Sequence, residues 1–161
     1  MKFTLYILLA LLISSFEIKA QDPVSTPEEF DSLYAINIQL SRINGAYIPR
    51  DLSEAHKRII ELTDGNKLDG FAKAEEKEVC KKLHFGIGRW MILNWNFYEG
   101  SRLSHYLKQE GLLHPDDMAQ YILRTLHRHL NQLELQKENI IAELKEARMK
   151  EINEVYINDK N

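Results

Sequence analysis

Apolar side chains recur every three or four residues along most of this chain, the spacing that lines one side of an α-helix. No stretch alternates in the two-residue rhythm of a strand. Thr26-Pro27-Glu28-Glu29 offers a hydroxyl cap, a proline at the first helical position and a glutamate at the third. A helix therefore starts there and carries Phe30, Leu33, Tyr34, Asn37 and Leu40 to a stop at Asn44-Gly45. Ala46 to Arg50 is a connector in which Pro49 keeps Ile48 extended. Asp51 to Thr63 is a second helix: Asp51 caps, Glu54 closes a capping box, and Leu52, Ala55, His56, Ile59 and Ile60 form its apolar face. Asp64-Gly65-Asn66 stops it, and Asn66 to Ala74, without a clear period, reads as a single turn around Leu68 and Phe71.

Glu75 to Leu83 continues as a helix into the stretch Leu83 to Met118, which holds both tryptophans and three of the six histidines. Leu83, Ile87, Trp90, Met91, Asn94 and Tyr98 share one helical side, which predicts Trp90 in the core beside Ile122 and Leu126. Gly86 and Gly88 each cost about 1 kcal/mol relative to alanine within a helix, so close packing against the backbone is expected at both. Glu99-Gly100 breaks the helix, and Ser101 caps the next, which ends at Gly111. His114-Pro115-Asp116-Asp117 opens another, with two acids at the positive end of its dipole. Along it Met118, Tyr121, Ile122, Thr125, Leu126, His129 and Leu130 make a continuous stripe, opposite Gln120, Arg124 and Arg128. Leu133 to Tyr156 has no glycine or proline and only an interrupted stripe of Ile140, Ile141, Leu144, Ala147, Ile152 and Val155. That pattern predicts a long helix that adds little to the core. The fold class is all-α: a compact multi-helix domain with a long charged C-terminal helix.

Charge and the N-terminus alter this picture only at its edges. Lys2, the apolar run Phe3 to Phe16 and the small-residue ending Ile18-Lys19-Ala20 form a cleaved secretory signal. That run is 14 residues long, short of the roughly 20 a spanning helix needs. The chain then divides into a signal over 1–20, a globular domain over 21–131 and a C-terminal helix and tail over 132–161. An exported product, periplasmic or secreted, is expected. Removing Lys2, Lys19 and Glu17 leaves 19 basic and 23 acidic residues, a formal charge of −4. A weakly acidic chain without a basic run is poorly matched to nucleic acid or, once the signal is removed, to a membrane surface. Cys80 is the only cysteine. Flanked by the core-facing Val79 and Leu83, it reads as a small buried hydrophobe.

Short motifs in a fixed order carry a resemblance. IPRDL at Ile48 to Leu52, LHFGIG at Leu83 to Gly88, Trp90, Asn94-Trp95, GSRL at Gly100 to Leu103 and HPDDM at His114 to Met118 are followed by Ile122-Leu123, His127-Arg128 and Leu130-Asn131. Together they resemble a family of small bacterial domains of unknown function. The resemblance spans Ile48 to Asn131 and leaves out the signal and the C-terminal helix. It departs at Asn96-Phe97-Tyr98-Glu99, where the family tends to a glycine-aromatic run, and at Arg89, where an apolar residue is expected. It implies a domain and no chemistry.

The candidate ligand site is the polar set His84, Asn94, Ser101, Arg102, His105, His114, Asp116 and Asp117. One reading gathers them into a pocket: Ser101 and His105 lie one helical turn apart, an acid comes from Asp116 or Asp117, and Arg102 at a helix start takes an anion. The other gives each a structural role: Ser101 as cap, the two aspartates on a helix dipole, Arg102 paired with one of them, and His84 and Asn94 satisfying backbone groups. No G-x-S-x-G elbow, H-E-x-x-H or cysteine pair is present, so no catalytic residue, metal or cofactor is assigned. His127 and His129 point away from each other on a helix, with His129 expected as a core histidine. Trp90, Trp95, Phe97 and Tyr98 read as core rather than as a sugar platform. The leading expectation is an exported, non-enzymatic interaction module that meets a protein partner through its C-terminal helix. The alternative is a small hydrolase or ligand-binding domain built on the polar set.

Overall fold

A buried arginine-bearing helix forms the axis of the protein. The computed structural model describes residues 26–158; the signal lies outside the described residues. In chain order come α1 (Pro27–Asn37), a hairpin of β1 (Arg42–Ile43) and β2 (Ala46–Tyr47), α2 (Leu52–Leu62), α3 (Gly65–Lys73) and α4 (Glu76–Leu83). A π turn (His84–Gly88), α5 (Arg89–Asn94), α6 (Arg102–Gln109), α7 (Pro115–Leu130) and α8 (Lys137–Asn158) follow. The architecture is all-α, as the pattern predicts, with one minimal hairpin added. Nine of the sixteen residues of α7 are buried, and every later helix as well as α2 and α3 packs on it.

The caps fall where the local chemistry puts them. Thr26 and Glu29 form a reciprocal capping box. Asp51 accepts the Glu54 amide at 2.9 Å, and Ser101 is capped reciprocally by Ser104. His114 accepts the Asp116 amide through Nδ1. Glu54 does not close the box expected of it: its carboxylate takes the Arg50 amide and the Tyr47 hydroxyl, both at 2.9 Å, and so ties the hairpin to α2.

Two boundaries differ from expectation. α1 ends at Asn37, and Asn44-Gly45 is the turn of the hairpin, with φ of 49° and 79°. Both central residues at positive φ are what a tight hairpin turn demands, and Asn-Gly is the pair that supplies them. Asp64 caps a full helix, α3, instead of merely stopping α2, and buries Phe71. Gly100, at φ +96°, is needed twice over: a Cβ there would sit 2.2 Å from the Tyr34 ring, which packs α1 down onto α6.

The stripe on α7 is buried at Met118, Tyr121, Ile122, Thr125 and Leu126, but its last histidine is exposed. His127 is buried instead and hydrogen-bonds the Ala74 carbonyl at 2.9 Å. The face expected to be solvated is covered as well. Arg124, 8% exposed, donates to Glu76 of α4 at 2.8 Å and to Glu143 of α8 at 3.0 Å, and Arg128 adds a second bond to Glu76 at 2.8 Å. Cys80 is fully buried, and burial pushes its thiol up to about 12.

The C-terminal helix contributes more to the core than its broken stripe suggests. Ile140 and Ile141 are buried and Leu135 and Leu144 pack against them, because one and a half turns of apolar contact suffice once ion pairs fix the helix in place. Arg148 clamps Asp117 with bonds of 2.8 and 3.3 Å. Beyond that clamp Met149, Ile152 and Val155 are exposed.

Ile140→Ala is expected to cost about 2–5 kcal/mol in urea unfolding, the range for a large-to-small core change, whereas a tail merely resting on the surface would cost little. Acid unfolding follows Glu76. Burial raises its pKa, but the two guanidiniums outweigh that and hold it below its ordinary 4.5. A carboxyl depressed in the folded state adds stability above its unfolded pKa and loses it as the pH falls through the folded one. Stability should therefore decline as the pH falls below about 4.5, and the difference between wild type and Glu76→Gln should narrow as it does.

Candidate functional site

The site is built around the π turn. The Arg89 amide reaches back to the His84 carbonyl, five residues away, so one extra residue is inserted into an otherwise continuous α4–π–α5 helix. One inserted residue turns everything after it by about 100°. Side chains expected in the core rotate out, and their neighbours rotate in. Trp90 is 37% exposed and Asn94 and Tyr98 are exposed; Met91 stays buried as its side predicts, and Ile92 and Trp95 are buried in place of the others. Asn96, at φ 54°, ends α5 in a turn whose Phe97 amide bonds the Ile92 carbonyl at 3.0 Å, bringing Phe97 into the core. Trp90 keeps an edge contact with the buried Trp95, ring centroids 5.6 Å apart.

The two glycines of the turn play different parts. Gly86 has nothing within 4 Å of where a Cβ would be, so no close packing occurs there. At Gly88 a Cβ would lie 3.0 Å from His84 Nδ1, so that glycine makes room for the imidazole. His84 Nε2 then meets Asp116 Oδ1 at 3.1 Å, joining the turn to the start of α7. Its buried Nδ1 has no hydrogen-bond partner.

The eight predicted site residues separate into distinct neighbourhoods. His84, Asp116 and His114 stay together at the π turn, with His114 Nδ1 3.5 Å from Asp116 Oδ2. Asp117 is held by Arg148. Ser101 is a buried cap. His105 bonds the Tyr34 hydroxyl at 3.0 Å through Nδ1 and pairs with neither acid. Asn94 bonds its own helix at the Trp90 carbonyl. Arg102 does not pair with Asp116 or Asp117: it donates to the Ile48 carbonyl at 2.8 Å, lies over the Tyr47 ring and sits 3.6 Å from Glu54. The hairpin and the residue after it deliver Tyr47 and Ile48 to Arg102, and a hairpin unseen in the apolar pattern could not announce them. Among the described residues, no group of three or more His, Cys, Asp and Glu side chains is placed to hold a metal ion.

Outside this polar corner, the outward side of α4–π–α5 is unusually apolar. Phe85 is 80% exposed and Leu93 65%, with Leu62 of α2 alongside at 51%. Ile59, Leu62, Ile87 and Trp90 border a notch of about 320 Å³. On the same side Lys81, Lys82 and Arg89 are exposed and make no ion pair among the described residues. These residues escaped the reading of the sequence because an unbroken 3.6-residue period assigns several of them to the wrong face.

A family model described as Domain of unknown function (DUF6794) matches residues 48–130, just over half of the chain. The chain belongs to this family. The match takes in the π turn, α5, α6 and α7, and stops short of α8. No curated protein and no solved structure matches the chain. No helix among the described residues is long and apolar enough to cross a membrane.

Gly88→Ala should force the His84 ring aside and cost about 1–3 kcal/mol, as overpacking does, while Gly86→Ala should be neutral or gain up to about 1 kcal/mol. Chemical denaturation of the two variants checks this; the reverse ranking would mean that the tight contact lies at Gly86.

Proposed function

We propose that this protein is an exported, non-enzymatic interaction module that docks an acidic protein segment on the outward face of the α4–π–α5 helix. The observation that carries the reading is the combined exposure of Phe85, Trp90 and Leu93 beside the unpaired cations Lys81, Lys82 and Arg89. Large exposed apolar groups cost solvation free energy unless a partner covers them, and aromatic anchors flanked by charge are the usual composition of binding hot spots. The cations add attraction and orientation toward carboxylates, at a strength that falls with salt. The notch beside Trp90 suits one inserted side chain, which favours a protein segment over a bilayer. The hydrolase reading has less support: its serine is a buried cap, its histidine bonds Tyr34, and its aspartates are engaged by His84 and Arg148.

The competing reading places docking on the distal turns of α8. Met149 and Ile152 are more than half exposed and line a groove of about 460 Å³ with Leu112 and the 77% exposed Leu113. Photo-crosslinking separates the two. Benzoylphenylalanine in place of Leu93 should give a discrete adduct in exporting cells, reduced when Lys82 and Arg89 are changed to glutamate, while the same probe at Met149 should give none. An adduct at Met149 alone would move the interface to the C-terminal helix, and adducts at neither position would end the docking proposal. Recovery of the chain only in the cytosolic fraction would rule out export.

A further inference from the structure

A separate cavity of about 630 Å³ is bounded by α2, Tyr106 of α6, His129 of α7 and the segment leading into α8. None of the predicted site residues lines it. Its volume lies within the range of pockets that enclose a small organic molecule. The walls are mixed. Leu52, Ile60 and Leu135 supply an apolar patch, and His129 and Lys137 bring nitrogen donors to it, with His56 between.

The acids of the lining are already engaged. Of the two acids at the rim, Asp51 is held by Arg50 and by the first turn of α2, and Glu61 by Arg58 at 3.2 Å and Lys57 at 4.0 Å. The side chains of His129 and Lys137 have no hydrogen-bond or ion-pair partner among the described residues. The His56 and His129 rings lie 5.4 Å apart, tilted by 33°. His56 is anchored: its Nε2 lies 3.0 Å from Thr125 Oγ1, whose hydroxyl donates to the Tyr121 carbonyl at 2.7 Å, so Nε2 carries the proton in that bond. Burial pushes His56 down to about 4, and the nearby His129 and Lys137 push in the same direction. The cavity thus sets two donor side chains, His129 and Lys137, beside an apolar wall, and neither is engaged by an acid of the chain among the described residues.

We infer that this cavity binds a small apolar carboxylate, its anionic head taken by His129 and Lys137 and its body laid on Leu52, Ile60 and Leu135. A carboxylate accepts from both a ring N–H and an ammonium, and each such charge-assisted bond is stronger than a neutral one. The apolar body removes from water the surface that the cavity leaves wet.

Calorimetric titration of the purified protein with sodium octanoate at about pH 6 tests this, with octan-1-ol as the body without the charge and acetate as the charge without the body. Octanoate should bind at a single site at least about tenfold more tightly than either control. His129→Gln with Lys137→Gln, both at the cavity mouth, should weaken octanoate at least about tenfold and leave the melting temperature unchanged. Phe85→Ser with Leu93→Ser should leave octanoate binding as it was. The inference fails if octanol binds as well as octanoate, if the double glutamine variant binds normally, if the Phe85 and Leu93 variant is the one that loses binding, or if no saturable binding occurs.

Discussion

Burying a guanidinium in a helical core costs several kcal/mol unless charges and hydrogen bonds replace its water, and that requirement at Arg124 governs how the helices are arranged. Arg124 lies at mid-length on α7, and its partners come from two other helices, Glu76 at the start of α4 and Glu143 within α8. Neither helix can slide or rotate by one residue without leaving a buried charge uncompensated. Arg128, one turn on, shares Glu76 and reinforces the same register, and Lys77 reaches Glu143 from α4 to close the set. Three helices separated widely in sequence are thereby locked around one axis. The apolar contacts of Ile140, Ile141 and Leu144 then supply burial that a thin stripe could not have directed by itself.

The lock at Glu76 has a consequence one helix further on. With α4 fixed at its start by Arg124 and at its end by the pairing of His84 with Asp116, the connecting segment must present Ile92 and Trp95 to the core. A regular helix would present Trp90 and Asn94 instead. The π turn absorbs the difference, and Gly88 allows it by leaving space for the His84 ring. The exposed row of Phe85, Trp90 and Leu93 is the other face of that adjustment, so the surface proposed for docking is a product of the same constraint that packs the core.

What could be read from the sequence follows the range of the interaction. Caps are decided within four residues, so Thr26, Asp51, Ser101 and His114 were legible, as was the amphipathic face of α2 with Leu52, Ala55, His56 and Ile59 buried. The phase of a helix is legible only while its hydrogen bonding stays regular, and Trp90 was misplaced because one inserted residue changed that phase. Arg102 was assigned to Asp116 or Asp117 by closeness in sequence, yet its partners arrive from the hairpin, a turn signal taken for a helix stop. His129 lies on the apolar stripe of α7 but at its end, where the helices that cover the stripe give way to the cavity. The polar set failed to converge for a related reason: one face of α6 carries His105 toward α1, while the start of α7 carries Asp116 and Asp117 toward α4 and α8.

The family-matched segment also ends short of what the fold requires. Residues 48–130 hold α7, the π turn and the exposed aromatic face, but Glu143, Ile140 and Ile141 lie beyond them. Arg124 would then carry a buried positive charge matched only by Glu76, itself shared with Arg128, and an apolar patch on α7 would face water. The long helix is therefore the element that completes the ionic lock, and in doing so it brings Leu135 and Lys137 across the mouth of the His56 cavity. Core completion and cavity formation are one event in this chain. The surface proposed for docking belongs to the family segment and the cavity takes its last wall from outside it, so the two can vary independently: they share no side chain.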